Sequence, residues 1–152
     1  MNMIREIPLA EITLRRYEKP YDAPKRELIK KVCLSLGLLQ PGDSRDIIVD
    51  ILLVLEEARK EKKWLSSFEI RDKIEEVRKE NSLENKGLAE SNIRRQLKRL
   101  RDAMLADKND NKYRLSEFAP ISEIFSSKIE RFLIPQMIER IKEYLVKLDN
   151  IQ

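Results

Sequence analysis

The chain has 152 residues, of which 41% are hydrophobic and 38% are charged. This composition is typical of one compact domain with an ion-rich surface. The sequence contains no histidine and a single cysteine, Cys33, which excludes histidine-dependent catalysis, an intramolecular disulfide and a zinc site with several Cys or His ligands. We therefore expect no catalytic residues, no metal and no cofactor, and we interpret Cys33 as a buried packing residue.

Two features of the sequence bear on location. The first ten residues lack the long apolar core of a secretion signal, and the most apolar run, residues 47–55, is interrupted by Asp50. That run is far shorter than the roughly 20 residues that cross a bilayer. Together with the lone cysteine, these features predict a cytoplasmic protein without a membrane partner.

Positive charge is concentrated in one short part of the chain. Residues 89–115 contain eight basic and four acidic side chains, and this excess equals the net charge of +4 of the whole sequence. Five of the basic residues fall within eight consecutive positions: Arg94, Arg95, Lys98, Arg99 and Arg101. Such clustering is typical of a surface that contacts nucleic-acid phosphates, and a solvated helix face is the alternative.

The N-terminal part of the sequence predicts a helical pair. Residues 9–18 have partly helical apolar spacing, and the prolines at positions 20 and 24 would end that helix. A second helix is predicted from about Pro24 to Leu36, with Gly37 at its C-terminal end. The two helices form a predicted N-terminal extension over residues 1–44.

Residues 45–118 are predicted to form a domain of three helices and a hairpin. A wide apolar stripe predicts a core helix over residues 45–63, and a capping box from Ser66 to Glu69 begins the next helix after a short extended piece. A polar loop over residues 79–87 leads to a third helix over residues 89–103, with apolar residues on one face. Asn109, Asp110 and Asn111 then predict the turn of a β-hairpin.

Residues 88–100 (LAESNIRRQLKRL) resemble the recognition helix of winged helix-turn-helix transcription regulators, and residues 104–115, which end in Lys112-Tyr113-Arg114-Leu115, resemble the wing. The resemblance covers roughly 70 residues, and its second helix and loop, residues 67–87, are longer than in the usual motif. It implies a mainly α fold with a winged helix-turn-helix core, a small β-hairpin wing, an N-terminal helical pair and a long C-terminal helix.

This resemblance implies a transcriptional regulator whose third helix enters the major groove of double-stranded DNA. Arg95, Lys98 and Arg99 are expected to face outward, whereas Arg94 and Arg101 lie toward one flank. The candidate DNA-binding residues are Ser91, Asn92, Arg94, Arg95, Lys98, Arg99 and Arg101 on the helix, and Lys108, Lys112 and Arg114 on the wing. The alternative is a winged-helix protein-interaction module in a replication, transcription or chromosome-segregation assembly.

Residues 119–152 predict a C-terminal helical segment, which Pro135 breaks, kinks or restarts. Beyond that proline, apolar residues step by three and four, as in a heptad repeat. They are Ile134, Met137, Ile141, Tyr144, Leu148 and Ile151, and Ile138 and Leu145 widen the seam. The seam predicts a homodimer formed through this helix, with packing against its own domain as the alternative.

Overall fold

The computed structural model of the chain describes residues 4–84 and 87–152. Residues 1–3 and 85–86 lie outside the described residues. The first group begins the N-terminal stretch in which the sequence predicts no secretion signal, and the second belongs to the predicted polar loop. The described chain is mainly helical, with a small three-stranded antiparallel sheet. Within it, no helix is long and apolar enough to cross a membrane.

The N-terminal part contains one helix, α1 (Lys25–Ser35), so the predicted helical pair is wrong. Residues 9–18 form an irregular strap across the end of α1. The backbone N–H of Arg15 donates to the carbonyl of Ser35 at 2.8 Å, and its guanidinium donates to the carbonyls of Leu34 at 2.8 Å and Leu39 at 3.1 Å. These bonds satisfy carbonyls that a helix end leaves unpaired, and a short isolated helix would have been only marginally stable.

Gly37 ends α1 as predicted, with a φ of 70°. The N–H of Leu38 donates to the carbonyl of Cys33 at 2.9 Å, and the N–H of Gly37 donates to the carbonyl of Leu34 at 3.3 Å. This pair of bonds defines a Schellman motif. A Cβ atom added at Gly37 would lie 2.4 Å from the Cβ atom of Thr13, so the strap packs where only glycine fits.

Helix α2 (Ile47–Lys60) is the central element of the core. Its apolar side chains lie in one cluster with Ile29 and Cys33 of α1 and with buried residues of every later element up to Ile129. Cys33 is fully buried, as we predicted, and burial raises the pKa of its thiol to about 12. The N-terminal helix therefore shares its core with the rest of the chain.

The predicted capping box is confirmed at the start of α3 (Ser67–Glu80), directly after the short strand β1 (Leu65–Ser66). The N–H of Glu69 donates to Ser66 Oγ at 3.1 Å, and the N–H of Ser66 donates to Glu69 Oε1 at 3.1 Å. Both bonds satisfy N–H groups that the first helical turn leaves free. The box thus fixes the residue at which strand becomes helix.

Helix α4 (Glu90–Asp102) is followed by the predicted hairpin of β2 (Ala106–Asn109) and β3 (Lys112–Leu115). Its turn has two residues, Asp110 and Asn111, both with positive φ, so it is one residue shorter than predicted. Strand β3 is the middle strand of the sheet, with β1 on one side and β2 on the other. The hairpin is therefore held, through strand pairing, to β1, which lies between α2 and α3 in the chain.

The C-terminal helix (residues 121–149) begins with α5 (Ile121–Ile124), continues through π-helical turns (Phe125–Leu133) and ends with α6 (Ile134–Asp149). Ile124 and Ile129 are buried in the core cluster, and Leu133 is also buried. The wide turns precede Pro135, which lacks an N–H and would clash with the carbonyl four residues earlier in a regular α-helix. Pro135 therefore does not break the helix: it lies in the first turn of α6, in agreement with the predicted alternative in which it opens the last helix.

Candidate nucleic-acid interface

Helix α4 is fixed by its buried residues and by its first turn. Ile93, Leu97 and Leu100 are completely buried. Ser67 Oγ at the start of α3 donates to Glu90 Oε1 at the start of α4 at 3.0 Å. These contacts hold the two helices together and leave the other face of α4 exposed. Candidate residues on that face are Ser91, Arg94, Arg95, Lys98 and Arg101.

Two cations of this face have acidic partners on the same helix. Lys98 Nζ lies 3.1 Å from Asp102 Oδ2, and Arg94 Nε lies 3.8 Å from Glu90 Oε1. Both pairs are one helical turn apart, and the cations themselves are exposed: the side chains of Arg94 and Lys98 are 58% and 70% exposed, whereas Glu90 is 24% exposed. Exposed pairs of this kind contribute at most about 1 kcal/mol, so a phosphate can replace the carboxylate at little cost.

Arg95 and Arg99 are held by neutral amides. A guanidinium nitrogen of Arg95 donates to Asn92 Oδ1 at 2.7 Å, and one of Arg99 donates to Gln96 Oε1 at 2.8 Å. Asn92 Nδ2 in turn donates to the carbonyl of Gly87 at 2.9 Å. An amide oxygen orients a guanidinium without cancelling its charge. Within the described residues, neither arginine forms an ion pair with a carboxylate, so this part of α4 keeps its positive charge.

Arg99 does not face outward as predicted. Its side chain is partly buried, and its second guanidinium nitrogen lies 3.5 Å from the carbonyl of Gly37. The cause is the end of α1, which packs against this flank of α4. Asn92 is also half-buried on the same flank. Arg95 and Lys98 therefore lie at the centre of the exposed face, with Arg99 along one edge.

The hairpin separates its three predicted contact residues into two groups. Lys108 and Lys112 are exposed at the hairpin end. Arg114 is not: it pairs with Asp107 Oδ2 at 2.9 Å, and its guanidinium carbon lies 4.4 Å from the ring centroid of Trp64 and 4.7 Å from that of Phe118. Arg114 is therefore less available to DNA than the two lysines, because its charge and its planar face are both engaged within the fold, and we do not include it among the proposed contacts.

Asp107 connects the hairpin to the chain that leads to the C-terminal helix. Its carboxylate accepts the N–H of Glu117 at 3.1 Å as well as the bond from Arg114. Burial alone would raise the pKa of Asp107, but these two donors outweigh it and hold the pKa below its usual value. Asp107 is therefore ionised at neutral pH and stabilises Glu117, which has a positive φ of 58°.

Sequence reasoning missed the buried ion cluster, which consists of Arg26, Asp46, Asp50 and Arg78. Arg26 Nε lies 2.8 Å from Asp50 Oδ1, and Arg78 Nη1 lies 2.5 Å from Asp50 Oδ2. Asp46 pairs with both arginines, at 3.1 Å and 3.3 Å. The available signal was Asp50, a charged residue inside an otherwise apolar helix face, because a buried carboxylate requires a partner. The cluster joins α1, α2 and α3.

In the part of the chain that the structure describes, no group of three or more Cys, Asp or Glu residues could hold a metal ion. The α4 face and the hairpin end supply cations and hydrogen-bond donors, which suit binding to an anionic polymer. The chain matches no model of a known protein family, no curated protein and no solved structure.

Proposed function

We propose that this protein is a DNA-binding transcriptional regulator that binds duplex DNA through a winged helix-turn-helix. The observation that carries the proposal is the exposed cationic face of α4, where neutral amides orient Arg95 and Arg99, beside a hairpin that ends in two exposed lysines. The order of elements also supports it: three helices, α2 to α4, with a hairpin whose β3 pairs with the strand between α2 and α3.

In this proposal, α4 lies in the major groove, which is wide enough for a helix. Arg95, Lys98 and Ser91 face the base edges and the nearest phosphates. Arg94 and Arg101, on the flank of α4, contact backbone phosphates, and Lys108 and Lys112 contact the backbone or the minor groove beside the helix. The protein acts by occupying a site, and the proposal involves no catalysis and no cofactor.

The test is a double substitution of Arg95→Ala and Lys98→Ala, both at exposed positions where the fold is not at risk. Each lost contact is worth on the order of 1–3 kcal/mol, so affinity for duplex DNA at moderate salt should fall about 100-fold while thermal unfolding is unchanged. The matched control is Lys60→Ala with Lys79→Ala, which removes two exposed charges from the ends of α2 and α3. Equal binding by both double variants would refute the assignment of α4.

We further propose that the protein is a homodimer formed through the C-terminal helix. No residue of α6 is buried, and Ile134 is its one described residue that packs against the core, which favours pairing with a second copy over packing of α6 on its own domain. The exposed aliphatic residues Ile138, Ile141, Leu145 and Leu148 follow one face of α6, together with partly buried Ile134. A second copy would cover this stripe. Ile151 does not extend it, because the helix ends at Asp149.

A homodimer formed in this way would present two α4 helices to one duplex, as a site with two half-sites requires.

Charged substitutions on α6 test the dimer. Ile141→Asp places a carboxylate in the stripe and should convert the dimer to a monomer in light scattering. Val146→Asp is the control, since Val146 is 58% exposed, against 57% for Ile141, and lies on another face of the helix. Neither side chain lies in the core, so neither substitution should destabilise the fold of the single chain. A wild-type protein that is monomeric at all concentrations tested contradicts this proposal.

The second candidate function is a winged-helix protein-interaction module of a replication, transcription or chromosome-segregation assembly. The observation that favours it is the same exposed stripe of α6, which would then pair with a helix of another protein. A gel-shift experiment with random duplex DNA at low salt separates the two candidates. The DNA-binding proposal requires retardation that weakens as salt rises, and the interaction module requires none.

A further inference from the structure

A cleft of about 530 Å³ lies beside α4, between that helix and the start of α2. Arg45, Arg95 and Arg99 line it, and its apolar residues include Leu39 and Ile48. We refer to these three side chains and the space between them as the arginine cleft. Arg45 precedes α2 and is exposed, whereas Arg99 is partly buried against the end of α1. Two separate parts of the chain thus place guanidinium groups around one space.

The arginine cleft carries charge that the fold does not neutralise. Among the described residues, none of its three arginines forms an ion pair with a carboxylate. Asp43 also lines the cleft and keeps its negative charge while its Oδ1 accepts the backbone N–H of Arg45 at 3.0 Å, so the lining carries an excess of positive charge of three arginines over one carboxylate. By contrast, Arg26, Arg59, Arg78 and Arg114 all pair with carboxylates at 3.3 Å or less.

Geometry indicates what the arginine cleft would bind. Arg99 is held in place by Gln96 and by the carbonyl of Gly37, so little side-chain entropy is lost when it contacts a ligand. Guanidinium groups bind phosphate oxygens in pairs of parallel hydrogen bonds. The positive end of the α2 dipole, at Ile47, also lines the cleft and favours an anion. Neutral or cationic ligands would leave this excess of positive charge uncompensated.

We propose that the arginine cleft binds a backbone phosphate of the duplex that lies against α4, which makes Arg45 part of the interface. This inference rests on the proposed function. It adds a contact from outside the helix-and-hairpin surface, and it assigns Arg99 to a phosphate. Because every sequence presents the same phosphates, this contact raises affinity without selecting a sequence.

The experiment measures the affinity for duplex DNA of the full chain over a range of salt concentrations. Arg45→Gln removes one exposed cation whose side chain makes no hydrogen bond within the described structure, so unfolding should be unchanged. We expect affinity to fall about fivefold at moderate salt, equally for different DNA sequences, and the slope of log affinity against log salt to decrease by about one. The control is Arg131→Gln, an exposed arginine on the C-terminal helix, which should leave the slope unchanged.

The outcomes separate this inference from the function on which it rests. If the wild-type protein binds duplex DNA and Arg45→Gln behaves like Arg131→Gln, the cleft does not bind a phosphate and the α4 assignment stands. A sequence-dependent loss in Arg45→Gln would also overturn the inference, since it would indicate a base contact. If the wild-type protein binds no duplex, both the inference and the proposed function fail.

Discussion

The buried ion cluster and the arginine cleft use the same side chain for different purposes. In the buried ion cluster, Arg26 and Arg78 contact two carboxylates, and Arg78 is only 5% exposed. In the arginine cleft, neutral amides and a backbone carbonyl hold Arg95 and Arg99, the side chain of Arg45 makes no hydrogen bond, and no carboxylate pairs with the three guanidinium groups among the described residues. Burial and counter-charge therefore distinguish an arginine that maintains the fold from one available to a ligand.

The largest effect is expected in the buried ion cluster. Asp50 is completely buried and pairs with two arginines from α1 and α3. Asp50→Asn keeps the shape of the side chain but removes the buried one of the two carboxylates that compensate both guanidinium groups, and leaves Asp46 alone with them. We expect the free energy of unfolding to fall by about 3–5 kcal/mol in chemical denaturation. Asp102→Asn, which breaks the exposed pair with Lys98, should have little effect, and similar losses in both variants would contradict the comparison.

Much of the local structure could be predicted from short-range patterns. The capping box at Ser66, the glycine at the end of α1 and the hairpin turn at Asp110 and Asn111 each depend on a few neighbouring residues whose bonding options are limited. The exposed face of α4 followed from the spacing of Ile93, Leu97 and Leu100. In each case the deciding contacts lie within a few residues along the chain.

The errors arose where distant residues decide the structure. Residues 9–18 are held by the end of α1, so their own weak helical spacing does not determine their conformation. Arg99 and Arg114 lie on segments that were predicted correctly, yet Gly37 in one case and Trp64 with Phe118 in the other redirect their side chains. A helical wheel or an alternating strand pattern assigns a face, but it does not contain the neighbours that cover that face.

An intermediate effect on stability is expected in the hairpin. Strand β3 contains both kinds of cation: Arg114, which is paired within the fold, and Lys112, which is exposed. Arg114→Ala removes an ion pair and two ring contacts, so the free energy of unfolding should fall by about 1–2 kcal/mol. Lys112→Ala should leave unfolding unchanged and weaken duplex binding severalfold, because Lys112 is exposed. Calorimetry measures the stability of both variants, and a binding titration measures their affinity for duplex DNA. Loss of binding without loss of stability in Arg114→Ala would reverse our assignment.

The smallest expected effect is a dependence of stability on pH. It distinguishes the buried ion cluster, whose arginines pair with carboxylates that titrate, from the arginine cleft, whose arginines form no such pair among the described residues. Burial alone would raise the pKa of Asp46, but the hydrogen bonds and charges of Arg26 and Arg78 outweigh burial and lower that pKa. The unfolded chain therefore binds a proton more readily at this carboxyl. The resulting stabilisation is fully present above the unfolded pKa of about 3.9 and is lost as pH falls through the lower folded value.

Denaturation curves collected between neutral pH and about pH 2 test this linkage. Asp46→Asn should be less stable than wild type at neutral pH, and the difference should shrink as the solution becomes more acidic. Asp22→Asn, at an exposed position, should follow the wild-type curve throughout. Duplex affinity at fixed salt should stay constant from pH 7 to pH 5, because arginine does not titrate there and the chain has no histidine. A constant difference between Asp46→Asn and wild type at every pH would show that Asp46 acts through packing and not through its charge.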